Sequence, residues 1–186
     1  MAGASVVRAS RALVNRILLV ASSTLLAGPV AADVRDSGAR LQFFSPQTAW
    51  AVAVPKDDWV VAQEKRRPDG SGFYYLVSSR SRSMQFSMYL DRTAQCASGE
   101  GCRARFWSNP GPMFRDPRDV RQYERNGFHV VQFYLDAVAG MPIKQVNLSA
   151  HMYRDGYWID IRATKVGEQV PDPAPIIEFL DSISVQ

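Results

Sequence analysis

The sequence has 186 residues, of which 22 are Lys or Arg and 18 are Asp or Glu, so its formal net charge is +4. Three of the basic residues lie within the first 32 positions, which hold no acidic residue, and without them the charge falls to +1. A nearly neutral chain of this length suits one domain with one core. Its charge gives no reason to expect nucleic acid as a partner.

The first 32 residues have the pattern of a secretory signal peptide. Three arginines precede the apolar run 17–26, and small residues follow as far as Ala32. This run is shorter than the roughly 20 residues that a bilayer span requires, although a retained membrane anchor stays an alternative. We predict cleavage between Ala32 and Asp33, and a soluble periplasmic or secreted domain, 33–186, with no stable membrane insertion after cleavage.

The first part of this domain is predicted to hold a polar lead-in up to residue 48 and then four strands. Each strand is a run of apolar and β-prone residues, and the last one alternates apolar with polar side chains. Pro55 ends the first strand, and the turn residues Pro68-Asp69-Gly70 join the second and third as a hairpin. The predicted strands are 50–54, 60–65, 73–78 and 84–90.

The next stretch, 91–116, shows no regular pattern and contains the two cysteines of the chain. Cys96 and Cys102 are separated by five residues. In an exported chain such a spacing favours a disulfide over a metal pair or a nucleophile. The bond would contribute at most about 2–3 kcal/mol, because the loop it closes is short. A long irregular stretch either covers a sheet edge or binds something, and the sequence leaves both open.

A short helix and a strand are predicted after this stretch. Asp116-Pro117 provides an N-cap and a first-turn proline, and Asn126-Gly127 provides residues that tolerate the left-handed conformation at a helix end. The strand 128–135 is apolar on both faces, so we expect it to lie inside the sheet and to be covered on both sides.

Residues 145–164 predict a β-hairpin in which the residue pairs can be assigned. Asp155-Gly156 accepts the positive φ angles of a two-residue type I′ turn, which places Arg154 opposite Tyr157. Alternation then puts apolar side chains on one face and polar or aromatic side chains on the other. The apolar face comprises Leu148, Ala150, Met152, Ile159, Ile161 and Ala163, and the other face comprises Ser149, His151, Tyr153, Trp158, Asp160 and Arg162.

The chain is predicted to end in a helix that packs on the sheet. Asp172 would cap it and Pro173 would start it, and four apolar residues then follow at helical spacing. The stripe is Ile176, Ile177, Leu180 and Ile183. This order of elements predicts an α+β fold in which a mostly antiparallel sheet of about 6–7 strands carries a mid-chain and a C-terminal helix.

Three short segments resemble the PsbP-like family of small α/β/α sandwich proteins. They are the entry into a strand at 54–59, the return strand Gly156-Tyr157-Trp158-Ile159, and the ending 176–183. The family includes an extrinsic photosystem subunit and bacterial envelope proteins of unassigned role. The resemblance implies a sandwich fold and a non-enzymatic role, and it transfers no functional residue. The cysteine stretch departs from the family pattern.

The polar face of the hairpin holds the candidate chemistry. His151 is predicted to lie opposite Asp160, a carboxylate that would orient the imidazole as an acid–base pair, with Ser149 and Arg162 beside it. The alternative is an ordinary stabilising cross-strand pair. Tyr153, Trp158 and Arg162 are candidate ligand-binding residues, and Tyr157 would extend the aromatic platform. Two histidines and two paired cysteines do not predict a metal site, and no cofactor motif occurs.

The sequence therefore favours an exported, non-catalytic binding or accessory protein of the bacterial cell envelope, with an envelope protein or a small ligand as its partner. An envelope enzyme that uses His151 and Asp160 is the alternative. A protein with a purely structural role in an assembly is a third possibility. The pattern of residues does not distinguish the ligand, the partner or the oligomeric state.

Overall fold

A computed structural model describes residues 34–45, 47–109 and 114–186. The predicted signal peptide lies outside these residues. The strands are β1 (Val34–Asp36), β2 (Arg40–Phe44), β3 (Ala51–Pro55), β4 (Val60–Arg66), β5 (Gly72–Ser79), β6 (Met84–Arg92), β7 (Arg118–Arg125), β8 (Phe128–Val138), β9 (Met141–Arg154), β10 (Tyr157–Gly167) and β11 (Ser184–Val185). The helices are α1 (Gly99–Ser108) and α2 (Ala174–Ser182).

The strands form two antiparallel sheets. One has seven strands in the order β4-β5-β6-β10-β9-β8-β7, and the other has four in the order β1-β2-β3-β11. The α+β class and the mostly antiparallel sheet are confirmed. The second sheet was not predicted, because the lead-in that supplies β1 and β2 is polar except at a few positions such as Phe43, which is fully buried.

The β9–β10 hairpin has the predicted turn and register. Asp155 and Gly156 have φ angles of 50° and 82°, which is the positive pair that a type I′ turn requires. Tyr157 pairs with Arg154, and Asp160 pairs with His151. The hairpin lies in the middle of the seven-stranded sheet, where β10 pairs with β6 and β9 pairs with β8.

The main core lies between one face of the seven-stranded sheet, here called the inner face, and a layer made of the four-stranded sheet and α2. The apolar face predicted for the hairpin belongs to this core. Phe86 of β6 is at its centre, with ring centroids 5.2 Å from Trp59 and 4.8 Å from Phe179. Burial of such rings is the main favourable term for folding.

The predicted helix at 116–126 is wrong, because these residues form the edge strand β7. Asn126 and Gly127 have φ angles of 50° and 75° and make a tight turn into β8. Asn-Gly serves equally well as a helix end and as a hairpin turn, and here Arg125 pairs with Phe128 across it. The strand β8 is buried on both faces along most of its length, as predicted.

The helix of the middle region lies instead within the stretch predicted to be irregular. The Ser98 hydroxyl caps α1 by accepting a hydrogen bond from the Gly101 amide at 3.0 Å. Cys96 and Cys102 form the predicted disulfide, with their Cα atoms 5.1 Å apart, so the bond ties the first turn of α1 to the segment before it. Two glycines in the first turn explain why the sequence shows no helical signal there.

The C-terminal helix α2 forms where it was predicted. The Asp172 carboxylate accepts a hydrogen bond from the Ala174 amide at 3.0 Å. Ile176, Phe179 and Leu180 are buried against the core, whereas Ile177 is only half-buried. The buried stripe therefore uses Phe179 where the spacing had suggested Ile177.

Candidate functional site

The face of the seven-stranded sheet opposite the core is here called the outer face. Helix α1 covers only the side of this face formed by β8 and β9. Phe106 lies over His151 with ring centroids 5.1 Å apart, and Trp107 and Phe114 both contact Phe133, at 5.3 and 5.6 Å. The other side of the outer face, over β5, β6 and β10, forms a groove.

The covered side contains the predicted acid–base pair. His151 is 0% exposed and Asp160 is 3% exposed. Nδ1 of His151 lies 3.5 Å from Oδ1 of Asp160, but it accepts a hydrogen bond from Trp158 Nε1 at 3.2 Å. Because a neutral imidazole has one acceptor nitrogen, this bond places the proton on Nε2, which has no partner among the described residues.

The protonation state of His151 follows from its burial. Loss of hydration lowers its pKa to about 4, and the charge of Asp160 opposes this shift without cancelling it. The imidazole is therefore neutral near pH 7. Asp160 is balanced instead by Arg162, whose Nε and Nη2 atoms lie 3.0 and 2.6 Å from Oδ2.

This geometry does not suit acid–base catalysis. The imidazole is enclosed by Phe106 and Trp158, and neither His151 nor Asp160 lines the groove. A substrate would reach the imidazole only if α1 moved away from the sheet. The two residues lie opposite each other, as predicted, but no hydrogen bond joins them and they do not line the groove.

The groove has a volume of about 290 Å³ and a polar floor. Asn147 and Ser149 of β9 lie opposite Thr164 and Arg162 of β10, so the four side chains form a rectangle on the sheet. The walls come from β5, β6 and the segments around Phe114 and Val138. The lining residues beyond these six are Tyr74, Leu76, Gln85, Ser87, Tyr89, Gln145, Leu148 and Ala163.

Asn147 has a buried amide that the rest of the described chain does not satisfy. The residue is 2% exposed, and its Oδ1 accepts hydrogen bonds from Gln145 Nε2 at 2.5 Å and from Thr164 Oγ1 at 2.9 Å. Nδ2 has no partner among the described residues. A buried donor without a partner costs about 1–3 kcal/mol, so the groove floor retains an unfavourable group.

Arg162 is the one predicted ligand-binding residue that lines the groove. Its guanidinium lies between two rings, 4.8 Å from the centroid of Tyr89 and 4.6 Å from that of Phe106. Burial alone would lower the pKa of Arg162, but Asp160 reverses the shift and raises it. The side chain is therefore held in one place as a permanent cation.

The other aromatic candidates do not form a binding platform. Trp158 is half-buried and holds His151 through its indole N–H, and Tyr153 pairs with Trp158 across the hairpin. Tyr157 faces the core, where its ring lies 5.7 Å from that of Trp50 and its hydroxyl contacts Gln47 at 3.1 Å. Alternation along β10 places Tyr157 and Trp158 on opposite faces.

Several groove residues were missed by the sequence reasoning. Asn147 and Thr164 lie on the polar face of the hairpin, and the same alternation that selected Arg162 could have selected them. Tyr74 and Tyr89, whose rings are 4.7 Å apart, come from other strands, and only the pairing of β6 with β10 brings them beside Arg162.

Two further features of the described residues concern metal binding and membrane crossing. Residues 34–45, 47–109 and 114–186 contain no group of three or more His, Cys, Asp or Glu side chains arranged to hold a metal ion. Within the same ranges, neither helix has the length and apolar character needed to cross a membrane.

Comparison with known proteins defines the fold. No protein-family model matches the sequence, and no curated protein matches it. A crystal structure from Bacteroides thetaiotaomicron has a TM-score of 0.47 at 10% identity, over 78% of this chain and 48% of that one, so this chain spans about half the length of that protein. The solution structure of cyanobacterial PsbP (CyanoP) from Synechocystis has a TM-score of 0.50 at 9% identity, over 86% and 96%.

The two sheets and two helices of the described residues define an α+β sandwich. Within that class the fold is PsbP-like, as the similarity to cyanobacterial PsbP shows. The predicted resemblance is confirmed at the level of the fold. At 9% identity the likeness concerns the fold alone and assigns no function to any residue.

Proposed function

We propose that this protein is an exported, non-catalytic binding or accessory protein of the bacterial cell envelope, and that it binds an envelope protein or a small ligand in the outer-face groove. The pattern of residues 1–32 and the Cys96–Cys102 disulfide support export, because disulfides persist in oxidising compartments. The polar lining of the groove supports binding.

The observation that carries the proposal is the free Nδ2 of Asn147 at the groove floor. Of the other floor residues, Thr164 is hydrogen-bonded to Asn147 and Arg162 is stacked on Tyr89. An amide donor that is held in place by two bonds to its oxygen, and is left without an acceptor, is preorganised for a ligand that brings one.

The alternative of an envelope enzyme has less support. Its candidate base, His151, is covered by Phe106 and has its Nδ1 lone pair occupied by Trp158. The Asp160 carboxylate is engaged by Arg162. These contacts are those of a stabilising cluster under a helix.

Native mass spectrometry of the untagged protein from its own host's envelope fraction tests the proposal. We expect a mature chain that starts at Asp33, a mass about 2 Da below that of the reduced chain because a disulfide removes two hydrogens, and a retained ligand or partner. The substitution Asn147→Leu should abolish retention.

Gln132→Leu is the matched control, because Gln132 is also a buried amide of the same sheet but lies on the inner face, where it accepts a hydrogen bond from Tyr123. Retention should survive in this variant. A chain that carries nothing would contradict the binding proposal, and so would equal retention by the Asn147 variant. An uncleaved N-terminus would contradict export alone.

A further inference from the structure

We propose that the ligand of the outer-face groove presents a carboxylate, attached to an apolar body, to Asn147 and Arg162. This inference rests on the proposed function, since it names the chemical class that the same groove would bind. It follows from the hydrogen-bond donors of the floor, from the charges of the lining, and from the apolar wall.

The donors of the floor converge on one small area. Nδ2 of Asn147 lacks an acceptor, and Arg162 uses Nε and Nη2 for Asp160 while Nη1 has no hydrogen bond among the described residues. Ser149 is two residues along β9 from Asn147, on the same face, and lies directly across from Arg162. Asn147 and Arg162 are diagonal neighbours on adjacent strands, about 7–8 Å apart at the backbone, a separation that the long Arg162 side chain and a two-oxygen acceptor can span together.

The charges of the groove favour an anion over a cation. Among the described residues of the lining, Arg162 is the one cation, and none is Asp or Glu. Asp160, which pairs with Nε and Nη2 of Arg162, is 3% exposed and is not among the residues that line the groove. A carboxylate would therefore meet donors and one fixed cation, and charge-assisted hydrogen bonds of this kind are the stronger ones.

The wall of the groove suits an apolar body next to the carboxylate. Leu76, Phe114 and Val138 line it, and the ring of Tyr74 adds a further apolar surface. The volume of about 290 Å³ lies at the lower end of the range for small-molecule sites. A short branched acid matches both the wall and the volume.

The same chemistry has two possible sources, a free organic acid and the C-terminal carboxylate of a peptide. Beyond Gln85, Gln145 and Thr164 the groove continues into a second depression of about 340 Å³, which Ser83 and Val166 border. This extension would accommodate the residues that precede a peptide's C-terminus. A free acid would use the first depression alone.

Backbone amide chemical shifts of the full mature chain test the inference, with four probes in two matched pairs. The free-acid pair is 4-methylpentanoate and 4-methylpentanamide, and the peptide pair is acetyl-Ala-Leu with a free or an amidated C-terminus. We expect each acid to bind about tenfold or more tightly than its amide, with shifts centred on Asn147 and Arg162. Additional shifts at Ser83 and Val166 with the peptide alone would identify a chain terminus as the natural source.

The variant Asn147→Asp sharpens the test, because it keeps the size of the side chain and places a carboxylate where the donor was. It should abolish binding of both acids, whereas Gln132→Leu should bind them as the unaltered protein does. Equal affinity for acid and amide would overturn the inference and leave the proposed function standing. Failure of both acids to shift the groove amides at millimolar concentration would also overturn it. The proposed function fails separately, if the protein from its host retains nothing.

Discussion

The two faces of the seven-stranded sheet differ in how completely their side chains are satisfied. On the inner face, Phe86, Met88 and Ile161 are fully buried among apolar neighbours. On the outer face, Asn147, His151 and Asp160 are equally buried, yet each has a polar atom without a hydrogen-bond partner among the described residues. Close packing of apolar groups stabilises the fold, whereas unpaired buried polar atoms weaken it. The inner face therefore stabilises the fold, whereas the outer face carries the unpaired polar atoms on which the proposed binding function rests.

The largest expected effect is on the inner face. Phe86→Ala removes a ring that contacts Phe43, Trp59 and Phe179. We expect the free energy of unfolding to fall by about 3–5 kcal/mol, because the site loses transfer energy and gains a cavity. Denaturant unfolding measures this fall in the free energy of unfolding. The neighbouring residue Gln85 is exposed on the outer face, so Gln85→Ala should change stability by less than about 0.5 kcal/mol. Similar losses for the two variants would contradict the assignment of the faces.

The second effect concerns His151 and pH. Burial lowers the pKa of His151 to about 4, below its usual value of 6.5, so the unfolded chain takes up this proton first. Stability should therefore be fully present above about pH 6.5 and fall as the pH drops from 6.5 to 4, by up to about 3 kcal/mol. The His151→Gln variant should not show this fall in stability. Chemical unfolding at several pH values measures the difference.

Two exposed carboxylates allow the histidine effect to be separated. Hydrogen bonds from Ser79 and Ser81 lower the pKa of Asp58 to about 2, and hydrogen bonds from Arg118 and Lys144 do the same for Asp136. Their contributions to stability are lost only as the pH falls from 3.8 towards 2, below the histidine range. A pH dependence between 6.5 and 4 that is identical in the two proteins would show that His151 is not held neutral by burial.

The third effect concerns the cover of the outer face. Replacing Cys96 and Cys102 together by Ser removes a short cross-link and should cost about 2 kcal/mol on the chain-entropy account. Hydrogen exchange should accelerate in α1 and around His151 more than in β10, because α1 loses its covalent tie while the sheet retains its ladder. Uniform acceleration across the domain would show that the disulfide holds the whole fold rather than this helix.

The smallest expected effect on stability accompanies the largest effect on binding. Asn147→Leu removes an unpaired donor from the groove floor, while Gln145 and Thr164 lie at half-buried positions where water can replace the lost acceptor. We expect the free energy of unfolding to stay within about 1 kcal/mol of that of the unaltered protein. Thermal and denaturant unfolding check this. A loss of several kcal/mol would mean that Asn147 is kept for stability and would weaken the case for a site.

Elements with clear local sequence signals were predicted, whereas elements that depend on contacts between distant residues were missed. The β9–β10 hairpin was predicted pair by pair, since the Asp155-Gly156 turn and strict alternation are local signals. The helix α1 was missed, because its first turn contains two glycines and its stability comes from the disulfide and from Phe106 on the sheet. The strand β7 was mistaken for a helix, because Asn126-Gly127 is compatible with either element.

The candidate site shows the same division. Arg162 was predicted from the polar face of the hairpin, and it lines the groove. Trp158 and Tyr153 were predicted from the same face, but they lie towards the turn, where Trp158 binds His151. Alternation assigns a side chain to a face but does not say which part of that face forms a groove. That part is set by the position of α1.

The sequence by itself determined the class of the fold, the hairpin register, the pairing of the two cysteines and the identity of the core face. These follow from alternation, turn residues and spacing, which act over a few positions of the chain. Only the tertiary structure decided that the polar face would be partly covered, with His151 under α1, Asp160 buried opposite it and Asn147 left at the floor of a groove. Contacts between distant elements decide whether a buried polar group lies beneath a helix, as His151 does, or at the floor of a groove, as Asn147 does.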